Sequence, residues 1–130
     1  MKATELKIGN WVYNSTTRNN MQVYPMMIPQ LYNIEKERGS LKDSNINPIT
    51  LSEEILLKCG FEKDDTGVDM FDQDYHEWCQ KEFPIIGVLC QNETKEYLFD
   101  ENTDTLRIRY LHQLQNLYFS LTQKELEVYL

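Results

Sequence analysis

The run Leu106-Arg107-Ile108-Arg109-Tyr110 alternates apolar and basic residues as a half-buried strand does. From Leu111 the apolar positions shift to helical spacing, at Leu111, Leu114, Leu117, Tyr118 and Leu121. A strand therefore feeds a helix directly, which predicts an α+β fold. The same spacing places His112, Gln115, Asn116 and Phe119, at i, i+3, i+4 and i+7, on the opposite helix face, where they are expected to meet whatever lies outside.

Upstream, Tyr97 and Phe99 alternate with Glu96 and Leu98. Taking Glu101-Asn102-Thr103-Asp104 as a loop sets Phe99 opposite Leu106 and Tyr97 opposite Ile108 on a buried face, with Leu98 opposite Arg107 and Glu96 opposite Arg109 on the other. A slip of one residue would turn both arginines towards the core, so the register is firmly specified. The nearly continuous apolar run Phe83–Cys90 reads as a central strand covered on both faces, with Pro84 at its start.

Earlier segments are less regular. Leu6–Tyr13 predicts a first strand, ended by the polar cluster Asn14–Asn20. Met21–Ile28 is apolar enough for a second strand, although Pro25 and Pro29 confine it to a sheet edge or an irregular extended run. Leu31, Tyr32 and Ile34 suggest a further strand before an exposed loop over 40–47. Thr50 or Ser52 starts a two-turn helix with Glu53 and Glu54 in its first turn, inner residues Ile55, Leu56 and Cys59, and Gly60 as its stop. Lys63–Gly67 reads as a turn and Val68, Met70 and Phe71 as a strand, whereas Asp72–Gln80 fits a strand end or a loop. The closing residues, from Thr122, suit a capped helix or a short strand.

At 130 residues the chain fits one α+β domain spanning residues 1–130, and 41% apolar with 26% charged residues is ordinary globular composition. A formal charge of −8 repels phosphate backbones and disfavours a nucleic-acid coat. No apolar run is long enough to span a membrane, and the opening residues do not resemble a signal peptide, so the expected location is cytoplasmic. Cys59, Cys79 and Cys90 cannot all pair within the chain.

The candidate chemistry is thin. Structural zinc sites take ligands in close pairs, but the nearest approach here is His76-Glu77-Trp78-Cys79, so no metal is expected. Cys59, at a helix C-terminus, and Cys90, ending an apolar strand, are expected to be inert small apolar groups, and Cys79 to be more open. No phosphate loop, nucleophile elbow or His-Glu-x-x-His is present, so no cofactor and no catalytic residue are assigned. An enzyme would require Asp72, Asp74, His76 and Cys79 to converge in a polar pocket. Tyr24-Pro25-Met26-Met27-Ile28-Pro29 is a second candidate surface, its methionines being adaptable in contact.

Three stretches, Leu6–Tyr13, Asn47–Phe61 and Tyr110–Phe119, together resemble small uncharacterised proteins carried by phages and mobile elements of gut Bacteroides. The resemblance implies an accessory role and carries no reaction with it. Lys7-Ile8-Gly9-Asn10-Trp11-Val12-Tyr13 also resembles the first strand of SH3-like barrels, an analogy of fold alone. Together these readings lead to a non-enzymatic protein that binds a protein partner or its own copies through Trp11, Tyr24, Met26, Met27, His112, Gln115, Asn116 and Phe119. The rival reading is a nucleic-acid-associated module using Arg18, Lys36 and Arg38.

Overall fold

The computed structural model describes residues 1–42, 44–64, 76–79, 87–91, 97–101 and 104–130. In chain order the elements are a 3-10 turn (Ala3–Glu5), β1 (Trp11–Asn14), β2 (Asn19–Gln22), α1 (Met27–Arg38), β3 (Ile46–Pro48), α2 (Glu53–Lys58), β4 (Glu62–Asp64), β5 (His76–Cys79), β6 (Gly87–Gln91), β7 (Tyr97–Glu101), β8 (Asp104–Ile108) and α3 (Leu111–Thr122). Both sheets are antiparallel, and the fold is α+β as expected. By contact the chain divides into two compact units: Met1–Thr50 with Tyr110–Asn116, and Leu51–Arg109 with Leu117–Leu130. Helix α3 runs from the first unit into the second.

The first unit holds a three-stranded sheet of order β2-β1-β3. Its core joins Ala3, Leu6, Val12, Val23, Met27, Leu31, Leu41 and Ile46. Strand β1 starts at Trp11, later than the expected Leu6, because a local turn competes for the backbone. The Asn10 Oδ1 accepts the Lys7 N–H at 2.7 Å, and Gly9 takes φ +90°, a conformation glycine adopts without the Cβ penalty. The three-stranded sheet does not confirm the SH3-like analogy.

Residues 27–38 form that 12-residue helix, where the sequence suggested strands. Pro29, expected to mark an edge strand, lies in the first turn of α1, where the missing N–H costs no helical hydrogen bond. Met27 and Leu31 are buried and Ile34 is partly buried, a helical i, i+4, i+7 stripe. Gly39 ends α1 in the left-handed conformation at φ 75°, its N–H on the Glu35 carbonyl at 2.8 Å.

In the second unit α2 forms as expected. Ser52 is its N-cap, the hydroxyl accepting the Ile55 N–H at 3.2 Å. At the other end Phe61 N–H reaches the Leu56 carbonyl and Gly60 N–H the Leu57 carbonyl, both at 3.0 Å, with Gly60 at φ 82°. This Schellman closure brings Phe61 and Leu56, both buried, to the same end of the helix.

The five-stranded sheet has the order β4-β5-β6-β7-β8. The expected register is observed, with Tyr97 opposite Ile108, Leu98 opposite Arg107 and Phe99 opposite Leu106. Pairing continues to Glu101 and Asp104, so only two residues connect the strands rather than four. Strand β6 is central, as expected, while residues 83–86, Glu96 and the proposed strand at 68–71 lie outside the described residues. Lys63 and Asp64, expected in a turn, pair with Trp78 and Glu77 in β4. Tyr97, Phe99 and Ile108 are buried on one face and Arg107 is exposed. Leu106 departs from expectation at 48% exposure: among the described residues β8 pairs with β7 alone, so Leu106, opposite the buried Phe99, lies at the margin of the sheet.

Leu111, Leu114 and Tyr118 of α3 are buried and Leu117 and Leu121 partly so. The chain leaves α3 through Gln123 at φ 59°, and the closing residues form neither strand nor helix: Leu126 is buried and Tyr129 N–H reaches the Lys58 carbonyl at 3.0 Å. No helix among the described residues is long and apolar enough to cross a membrane.

The edge-strand geometry predicts a contrast measurable by urea denaturation. Phe99→Ala should cost about 3 to 5 kcal/mol, as large-to-small changes in a packed core do. Leu106→Ala, although directly opposite, should cost about 0.5 kcal/mol or less, as an ordinary surface change does.

Candidate functional site

The helix face expected to look outward turns inward. His112 is 0% and Gln115 3% exposed, and Asn116 is half-buried. Their side chains hold residues 5–11. Gln115 Oε1 accepts the Trp11 N–H at 2.8 Å while its Nε2 donates to the Gly9 carbonyl at 3.3 Å. Asn116 Nδ2 donates to the Glu5 carbonyl at 2.8 Å, and its Oδ1 accepts from Asn10 Nδ2 at 3.0 Å. Asn10, 2% exposed, completes the chain by accepting from Lys7 N–H. Each amide gives its N–H to an oxygen and its oxygen to an N–H, so a single flip state satisfies the whole network. This arrangement fixes backbone; it presents no reacting group.

His112 is the second residue of α3, with its ring stacked on Tyr110 at 5.7 Å and 10°. Its Nε2 lies 3.4 Å from Glu5 Oε2, and its Nδ1 is buried with no hydrogen-bond partner among the described residues. Burial lowers the imidazole pKa from its usual value, the Glu5 carboxylate opposing that shift and the chain's amino group adding to it. The start of α3 is secured separately, Gln113 Oε1 accepting the Tyr110 N–H at 3.2 Å as the returning half of a capping box.

The remaining candidates scatter. Met27 is core, not surface, because it opens the inner stripe of α1. Trp11 and Phe119 are half-buried. Tyr24 and Met26 are exposed, at 48% and 66%. Arg18, Lys36 and Arg38 are exposed on a turn and on α1. Cys59 is buried, and desolvation pushes its thiol up to about 12, while Cys79 is exposed. Asp72 and Asp74 lie outside the described residues, and among those described no three His, Cys, Asp or Glu side chains are grouped to hold a metal.

Described residues of the first unit line a hollow and a groove. One, of about 480 Å³, is bordered by Lys2, Glu35, Leu41, Lys42, Ile46 and Pro48; its carboxylate Glu35 already accepts the Ala3 N–H at 2.9 Å. The other is a groove of about 210 Å³ lined by Met21, Tyr24, Met27, Leu31, Ile34 and Ile46, together with Asn14, Gln30, Ser44 and Asn45. No charged side chain is among its described lining residues. The sequence pattern pointed to Tyr24 and Met27 but not to Leu31 and Ile34 as their neighbours, although their helical spacing from Met27 was the available signal.

Gln115→Ala should destabilise the protein by about 1 to 3 kcal/mol, because it takes the acceptor from the Trp11 N–H, while the Gly9 carbonyl keeps the Gln22 Nε2 donor at 3.2 Å, and it should raise Trp11 amide exchange most. Iodoacetamide at pH 8, followed by peptide mapping, should alkylate Cys79 and spare Cys59 until the protein unfolds. Comparison with family models, with curated proteins and with solved structures found no match for this chain.

Proposed function

We propose that the protein is a non-enzymatic accessory protein of a phage or mobile element, acting in the cytoplasm by docking an extended segment of a protein partner onto its first unit. The observation that carries this reading is the edge strand β2 beside the uncharged groove. Among the described residues β2 pairs with β1 alone, leaving its outer backbone edge open, and Asn19, Asn20 and Gln22 are exposed. Edge pairing supplies main-chain hydrogen bonds, and an adjoining pocket supplies selection by side chain.

Groove size and chemistry narrow the partner. At about 210 Å³ it falls below the ~300–1,000 Å³ of small-molecule sites and suits an apolar anchor side chain instead. In a chain of net charge −8 an uncharged lining favours an apolar segment over a charged one. Tyr24 and Met26 add exposed, adaptable apolar surface immediately before α1. Burial of His112 and Gln115 supports this reading over docking on the polar face of α3.

The test is capture of a partner from nuclease-treated host lysate, followed by affinity measurement with the purified partner. Met26→Asp should weaken binding about tenfold or more, the loss of one interface hot spot, without lowering the unfolding temperature, since Met26 is the N-cap of α1 and Asp suits that position. Capture that vanishes on nuclease treatment would transfer the assignment to the nucleic-acid reading, and undiminished binding by both Met26→Asp and Tyr24→Ala would remove the groove from it.

A further inference from the structure

We propose that His112 makes the attachment of residues 5–11 to helix α3 acid-labile: protonation of its buried ring releases that segment from the helix. The inference rests on the clamp geometry and is independent of the docking reading.

A neutral imidazole has one donor and one acceptor nitrogen. With Nε2–H directed at Glu5 Oε2, 3.4 Å away, Nδ1 carries the lone pair, and it is the atom a second proton must occupy. That proton would sit on a nitrogen enclosed by protein with no acceptor among the described residues, on a side chain of 0% exposure. The cation would also lie in the first turn of α3, where the helix dipole is positive.

The groups facing the ring do not rescue it. Glu5, from the 3-10 turn, attracts the cation, but its side chain is 40% exposed and that attraction is screened by water. The amino group of Met1 opposes it. Tyr110 offers a stacked ring, not a charge. On release the ring is hydrated and takes up a proton near its ordinary value of about 6.5.

The direction follows from linkage. Burial lowers the pKa in the attached state, so attachment is at full strength above about pH 6.5 and weakens as the pH falls below it. Between pH 7.5 and pH 5.0 the released population can grow by up to about 30-fold, the limit reached when the attached ring stays neutral throughout. Opening uncovers the Gln115 and Asn116 amides together with the Trp11 N–H, since the same residues hold the segment.

Amide hydrogen exchange of the full chain at pH 7.5 and 5.0, corrected for intrinsic rates, tests this. Residues 5–11 should lose protection selectively at pH 5.0 relative to 97–99, with an opening ratio between the two pH values well above one. His112→Gln, which cannot gain the proton, should bring the ratio to one. Glu5→Gln serves as the second variant: if His112 is the sensor, the ratio is kept or moves towards 30-fold, whereas a ratio of one would identify Glu5 as the titrating group and overturn the proposal. A wild-type ratio of one, or an unchanged ratio in a folded His112→Gln protein, would overturn it equally.

Discussion

A backbone N–H or C=O taken out of water must find a partner, and the Trp11 N–H finds it in the side chain of Gln115, 104 positions away, which also joins Gln22 Nε2 in donating to the Gly9 carbonyl. Much of the first unit depends on this constraint. Residues 5–11 contain a short 3-10 end, a glycine turn and the start of a strand, none of which satisfies all of its own polar groups. Without the amides of Asn10, Gln115 and Asn116, this part-buried segment would lose the partners of the Glu5 carbonyl and the Trp11 N–H, at about 1 to 3 kcal/mol for each group left unsatisfied out of water. The helix therefore contributes polarity to the interior as well as leucine.

This explains why the polar stripe on α3 is misleading in the sequence. Alternation and helical spacing report which residues are apolar, and from that the strand pair 97–108, the central place of β6, the helix after Leu111 and the capped helix at 53–58 were all legible. Each has local chemistry that agrees with its place in the fold: arginines on one face, Ser52 at a helix start, Gly60 at its end. A buried amide satisfied by distant backbone has no such local signature. Its pattern is that of a solvated face, and only the long-range partner distinguishes the two.

Helix α1 was illegible for another reason, a residue with two meanings. Pro29 blocks a strand ladder and equally suits the first turn of a helix, and Met27, Leu31 and Ile34 carried the spacing that decides between them. Once that helix is recognised, the Tyr24–Met27 stretch stops being an extended run and becomes the entrance to a groove. Of the candidate contact residues, Tyr24 and Met26 remain on the surface, Met27 forms wall and core, and His112 and Gln115 become internal supports.

The span between the clamp's two halves has a consequence for how the polypeptide emerges from the ribosome. The Glu5 carbonyl waits for Asn116, 111 residues later, so all the residues between them must be synthesised before the segment around Glu5 acquires its final bonds. Strands β1 and β2 and helix α1 can assemble their shared apolar cluster long before that, because every member of it lies within the first 46 residues. Closing a loop of that length is entropically slow compared with forming a hairpin. Maturation of residues 5–11 is thus timed by the arrival of Gln115 and Asn116.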